Sequence, residues 1–312
     1  MQIVMPVSAQ AILRALVTTA CLHAAAARAA EPPVLAVSIA PLHSLAAAVT
    51  AGIGEPVLLV PASASPHGYA LRPSAAAALR KARVVLWVGR ELESFLVAPL
   101  RGLSGEARVV SALDAVGRER LLKARKGGVW DDGHSQGGDL SPWDAHVWLD
   151  PELAGLIAAA LVRELMAMDP PRAPLYRQNG ERLQAELAAL DGELRAQLAP
   201  VARVPFVVLH DAYQYLERRY GLAALGAVAV DPYLPPGAAR LRDLSARVAM
   251  SDARCIFSEP QFPSRLAETL AAGGRRRAVL DPIGVDAKPG PALYFHMMRG
   301  LGRSLRDCLG AQ

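Results

Sequence analysis

Glu181-Arg182-Leu183-Gln184-Ala185-Glu186-Leu187-Ala188-Ala189-Leu190-Asp191-Gly192-Glu193-Leu194-Arg195-Ala196-Gln197-Leu198 lies past the middle of the 312-residue chain and decides how the rest is read. Its leucines recur at steps of three or four, so they share one face of a helix. Glu181, Arg182, Glu186, Asp191, Glu193 and Arg195 fill the other faces. The pattern predicts one amphipathic helix over 172–200, starting behind Asp169-Pro170-Pro171 and stopping near Pro200. At 1.5 Å per residue such a helix is about 42 Å long. That is enough to run along the back of two lobes and join them stiffly.

On either side of this helix, short β-branched runs alternate with Ala/Leu-rich stretches. The strand candidates fall into two groups of four: 34–40, 56–61, 83–88 and 107–111, then 204–209, 226–230, 254–258 and 277–280. Each is too short for a helix and too continuously apolar for a strand with one wet face, so each reads as buried on both sides. Leu42–Thr50 and Ala75–Ala82 read as helices, the second with Ser74 as its N-cap and Pro73 as a stop. Strand–helix alternation predicts an α/β protein with parallel sheets: two lobes joined by a long rigid helix. The expected boundaries are 30–168 for the first lobe, 169–200 for the linking helix and 201–312 for the second lobe.

Residues 1–29 read as a secretory signal peptide. Arg14 is the one charge before Arg28, and Ala15 to Leu22 form an apolar core. Ala27-Arg28-Ala29 fits a small-residue cleavage site, so cleavage is expected near residue 29 and the mature protein in the periplasm. The apolar run is shorter than the roughly 20 residues of a membrane span. Lipidation at Cys21 is the competing reading, against which Thr18 stands where such signals carry Leu. Removing Arg14 and Arg28 from 34 basic against 29 acidic residues leaves a formal charge of +3. With aromatics at 5%, neither the charge nor a stacking surface points to nucleic acid as a partner. Two cysteines remain, Cys255 and Cys308. In an oxidising compartment an isolated pair reads as one disulfide, worth about 4 kcal/mol at most.

The histidines carry the chemistry. His67 stands in Ser65-Pro66-His67-Gly68-Tyr69, just past a strand candidate. His210 closes Val204-Pro205-Phe206-Val207-Val208-Leu209, and His146 stands in Trp143-Asp144-Ala145-His146-Val147-Trp148-Leu149-Asp150-Pro151. Asp281 ends Ala278-Val279-Leu280. Ligands of open parallel sheets bind outside the carboxyl ends of strands, and three of these four residues sit there, drawn from both lobes. Three neutral imidazoles with a carboxylate or a water suit a tetrahedral zinc ion. His43 reads as a helix-surface residue and His296 as a packing residue. His134, with Asp131 and Asp132 in the Gly-rich stretch 127–138 and Asp139 just after it, reads as a solvated loop or a weak metal-collecting segment.

At these positions the chain resembles the zinc-binding components of bacterial metal ABC transporters, the high-affinity zinc uptake type. The likeness runs along essentially the whole mature chain. It rests on Ser65-Pro66-His67-Gly68-Tyr69-Ala70-Leu71-Arg72-Pro73-Ser74, on Asp144 to Pro151, on His210-Asp211-Ala212-Tyr213-Gln214-Tyr215 with Tyr220-Gly221-Leu222, and on Asp281-Pro282-Ile283-Gly284. The resemblance implies His67, His146 and His210 as zinc ligands, with Asp281 or a water as the fourth. It also implies a Cys255–Cys308 disulfide, and a monomer that passes zinc to a membrane permease driven by a cytoplasmic ATPase. Manganese-type members usually carry Glu where His210 stands, so the third ligand favours zinc. Gly68, Ala75, Ala145 and Pro66 depart from common family residues without removing one of the histidines. Competing functions are a periplasmic zinc buffer, a manganese-binding relative, and a zinc hydrolase; the last would need a general base and a substrate cleft, and no compact catalytic motif supplies them.

Overall fold

All eight expected strands form, and they form two sheets. A computed structural model of the chain describes residues 31–103, 105–125, 142–229, 238–261, 265–271 and 274–311. The expected signal peptide and the 127–138 loop with His134 lie outside the described residues. The first sheet contains β1 (Leu35–Val37), β2 (Val57–Leu58), β3 (Val84–Trp87) and β4 (Arg108–Ser111), in the order β2-β1-β3-β4. The second contains β5 (Phe206–His210), β6 (Ala224–Ala229), β7 (Cys255–Ser258) and β8 (Arg276–Val279), in the order β6-β5-β7-β8. Every pairing is parallel. The two orders are the same: the second strand steps to one side of the first, and the third and fourth to the other. The change of direction opens a crevice at the carboxyl ends of the first and third strands. In the second half, those ends are His210 and Ser258.

In the first half the helices are α1 (Ala40–Val49), α2 (Pro73–Lys81), α3 (Val97–Arg101), α4 (Ala112–Val116) and α5 (Pro151–Met168). Next comes α6 (Ala173–Leu198), and then α7 (Gln214–Tyr220), α8 (Ala238–Met250), α9 (Arg265–Leu270) and α10 (Leu293–Gly310). The 26 residues of α6 are the predicted linking helix. Leu183, Leu187, Leu190, Leu194 and Leu198 are all buried on it, each contributing roughly 2 kcal/mol by leaving water. Its apolar face packs into one continuous core with α1, α5, α10 and the inner faces of both sheets. Gly302 allows α10 to approach α6 closely: a Cβ there would stand 2.7 Å from Leu194 Cδ2. Asn179 ties α6 to the end of α1, donating to the carbonyls of Val49 and Ala51 at 2.9 Å each.

Smaller clusters cover the outer faces of the two sheets. On the second, Cys255 at the start of β7 is bonded to Cys308 of α10, fixing the last helix to the sheet. Four local expectations change. The outer strands β2, β4 and β8 are partly exposed rather than buried on both sides, because each has its sheet's edge or an uncovered face toward water. Helix α2 begins at Pro73 with Arg72 as N-cap and no side-chain cap, so Ser74 is already inside it; the proline's fixed φ suits a first helical position. His43 is not on a surface: it is buried on α1 and hydrogen-bonds Pro56 O through Nε2 at 2.9 Å. His296 does not pack; it is exposed on α10, because Met297 and Met298 take the inward-facing positions.

Candidate metal centre

Each of the three histidines is placed by a different local device. His210 is the last residue of β5, a strand with a neighbour on each side, and is buried. His146 precedes a single 3-10 turn, Val147–Leu149, which leads into α5. Two aspartates hold that segment. Asp144 Oδ1 accepts from the backbone N–H of His146 at 2.9 Å. Asp150 caps α5 by accepting from Glu152 N and Leu153 N, as N-cap aspartates do. His67 lies in the loop behind β2, where its N–H donates to Ser65 Oγ at 3.3 Å. The next residue, Gly68, has φ 63°, a left-handed turn that glycine adopts without cost.

The three rings converge from both halves of the fold. Ring centroids are 5.0 Å apart for His67–His210 and His146–His210, and 5.6 Å for His67–His146. One nitrogen from each lies within 4.8 Å of the other two. A tetrahedral zinc shell with bonds of about 2.0 Å spaces its ligands about 3.3 Å apart, so the rings stand near the required spacing. The space they enclose is about 10 Å³, room for one water-sized or ion-sized body. It is also lined by Ser65, Trp148, Glu259, Gln261 and Ile283.

The electrostatics favour imidazoles ready to bind a cation. His67 Nε2 is buried with no hydrogen-bond partner. Burial, reinforced by His210 and His146, holds the pKa of His67 well below its ordinary value, so His67 is neutral at pH 7. His146 Nδ1 lies 2.7 Å from Asp144 Oδ1. A carboxylate can only accept, so Nδ1 carries the proton and Nε2 keeps a lone pair for a metal. Glu259 Oε1 lies 3.2 Å from His210 Nδ1 and accepts from Tyr213 OH at 2.9 Å. Burial lowers the pKa of His210, but Glu259, followed by Asp211 and Asp144, outweighs it and the net shift is upward.

Asp281 is not among the residues brought together. Within the described residues the cluster is made of the three histidines, with no carboxylate in it. Asp281 Oδ1 instead accepts from Ile283 N, Gly284 N and Gln261 Nε2, and Oδ2 from Val285 N at 2.6 Å. The carboxylate closes the turn that follows β8, which is why an aspartate suits a strand end irrespective of metal. Sequence reasoning also passed over Asp144, Glu259 and Gln261. The last two follow β7 directly, so the strand-end rule that singled out His210 would have found them.

Ties between the halves surround the centre. Arg125 pairs with Asp211 at 3.2 Å and with Glu217 at 2.5 Å. Tyr215 OH accepts from Leu122 N and donates to Asp144 O, both at 3.0 Å. Trp148, fully buried, donates through Nε1 to Pro282 O at 2.8 Å, and Tyr294 OH donates to Trp148 O at 2.8 Å. Further back, Arg219 of α7 pairs with Asp191 of α6 at 2.9 Å and with Glu152 of α5.

Comparison with known proteins gives this geometry its family. Residues 35–308 match the model of ZnuA, the zinc-uptake complex component A, periplasmic. The high-affinity zinc uptake system protein ZnuA of Brucella abortus is 38% identical, with 90% of this chain and 93% of that protein covered. Its counterpart from Paracoccus denitrificans is 35% identical, with 95% and 98% covered. A crystal structure of ZnuA superposes with a TM-score of 0.75 at 24% identity, over 89% of this chain and all of that one, which supports the fold. Membership implies a cognate membrane permease and ATPase. The chain belongs to the family of periplasmic zinc-uptake components, solute-binding proteins of ABC transporters.

Proposed function

We infer that this protein captures one zinc ion in the periplasm with His67, His146 and His210 and hands it to the permease of an ABC transporter. The observation that carries the reading is the convergence of three imidazoles from both halves on a space of one ion's size. An all-nitrogen protein donor set suits zinc better than manganese, which prefers oxygen. Asp144 and Glu259 face the Nδ1 atoms of two of the rings, and so aim the opposite nitrogens inward and raise their basicity. These carboxylates also supply negative charge beside a divalent cation.

Capture must be reversible. The core through α6 and the ties across the cleft resist wide separation of the sheets, so we assign release to movement of a ligand-bearing loop. The His67 loop is the best suited, because among the described residues no carboxylate holds that ring. Docking on the permease would then weaken the site by displacing one ligand of three.

Metal analysis and competitive zinc titration of chelator-stripped protein test the reading. One zinc per chain, bound in preference to manganese, is expected; preferential manganese binding overturns it. A deletion strain should grow poorly in zinc-depleted medium and be rescued by zinc but not by manganese. Normal growth of that strain would instead favour a buffering role.

A further inference from the structure

Gln261 follows β7 in Glu259-Pro260-Gln261 and lines the space between the three histidines. Its amide has two different ends in two different settings. Nε2 lies 3.2 Å from Asp281 Oδ1, and because a carboxylate only accepts, the atom facing it must be the –NH₂ group. The other end is thereby fixed as oxygen. That Oε1 is buried and has no hydrogen-bond partner. A buried carbonyl oxygen without a donor is costly, by about 1–3 kcal/mol, and such atoms persist where a ligand or a water satisfies them. Here Gln261 is one of the residues that line a one-ion cavity. Three nitrogens leave a tetrahedral zinc one donor short, and no carboxylate of the described residues joins the histidine cluster.

We propose that Gln261 is a positioning residue that sets the oxygen donor of the zinc ion's fourth coordination position. Its N–H holds Asp281, and its amide oxygen faces the incoming ion. The donor it positions is a water, whose proton the amide oxygen accepts. The proposal rests on the three-histidine reading above and adds a residue to it. The amide also carries no charge, so it orders the fourth position without adding a second anion beside Asp281.

The test uses the full mature protein with zinc competition titration and the visible absorption of bound cobalt(II), whose bands report coordination number and donor type. The variants are Gln261→Met, which keeps the volume but neither hydrogen-bonding end, Asp281→Asn and His210→Ala. Gln261→Met should bind zinc about tenfold more weakly and shift the cobalt bands, while the thermal midpoint of its metal-free form stays at the parent's value. Asp281→Asn keeps an acceptor for the amide N–H, so its cobalt spectrum should match the parent's; a changed donor set would make Asp281 itself the fourth ligand and overturn the proposal. If Gln261→Met keeps the parent's zinc affinity and cobalt spectrum, the proposal is overturned. If His210→Ala also binds zinc like the parent, the underlying three-histidine reading fails instead, so the two failures are distinguishable.

Discussion

The two sheets share one strand order but use its crevice differently. In the second sheet the ends of β5 and β7 carry His210, Glu259 and Gln261 into the metal cavity. In the first sheet the same place, at the ends of β1 and β3, is filled by the protein itself. Glu93 is fully buried there, its Oε2 accepting from Val88 N at 2.7 Å and more distantly from Gly89 N. The first half therefore supplies His67 and His146 from loops rather than from a strand. The comparison teaches that topology offers a site without obliging the chain to use it. It also separates a ligand fixed by a sheet from ligands whose positions depend on loop chemistry.

Removing a ligand should produce the largest effect. A structural zinc site is worth roughly 10–16 kcal/mol, or about 3 kcal/mol per ligand, so His210→Ala, His146→Ala and His67→Ala should each weaken zinc binding about 100-fold or more. Equal losses at all three would show that sheet and loop ligands count alike in affinity. A faster zinc off-rate in Gly68→Ala than in the parent, since alanine strains that left-handed position of the His67 loop, would place the adjustable ligand there. Retained affinity in any one alanine variant would remove that histidine from the shell.

The orienting carboxylates come next. Asp144→Asn and Glu259→Gln keep the shape but lose the charge that sets each imidazole, and about tenfold weaker zinc binding is expected for each. Unchanged affinity by competitive titration would mean that the rings are aimed by packing alone.

Acidity distinguishes the halves as well. A protonated imidazole cannot ligate. The pKa of His210 is raised above 6.5, whereas that of His67 is lowered well below it. Proton competition should therefore begin at the strand ligand. Zinc affinity should decline as pH falls from neutral, by about tenfold per pH unit once a single histidine is protonated. A flat profile between pH 7.5 and 5.5 would contradict the assignment.

The smallest effect belongs to the filled crevice. Burial pushes Glu93 up to about 7, so the folded protein binds more protons than the unfolded chain between about 4.5 and 7. Stability from this group is complete below the lower value and is lost as pH rises through the upper one. Glu93→Gln stays neutral and can still accept from Val88 N. It should raise the thermal midpoint by a few degrees at pH 8, at about 2–4 °C per kcal/mol, and have little effect at pH 5. A larger gain at pH 5 than at pH 8 would refute this account of the buried carboxyl.

The element map was legible because it depends on local pattern. Continuous apolar runs located the strands, and the leucine spacing located α6 within two residues at either end. His210 was legible because strand ends in parallel sheets face a common crevice, and His67 because it follows a strand; His146, which precedes a helix, was marked by its motif rather than by a strand end. Contacts made across the fold were not. His43 and His296 exchanged their expected surroundings because helix periodicity does not say which face meets a neighbour. Asp281 stands at a strand end as expected, with water as the alternative fourth donor; that its carboxylate accepts from the next turn's backbone is a local contact that composition does not reveal. Gln261 carries no charge to mark it in the sequence beyond its place after a strand, and its unpartnered amide oxygen is a property of the fold.

Trp148 carries one more consequence. Its indole ring lies 5.2 Å from the His146 ring, is shut away from water, and is pinned at Nε1 to the opposite half of the molecule. An indole so placed is a native optical probe. The electric field of a divalent ion beside His146 should shift its emission, and any widening of the cleft should loosen the Nε1 contact and shift it again. Capture and release can therefore be timed in the unlabelled protein by stopped-flow fluorescence, with Trp148→Phe as the control that subtracts the emission of Trp87, Trp130 and Trp143.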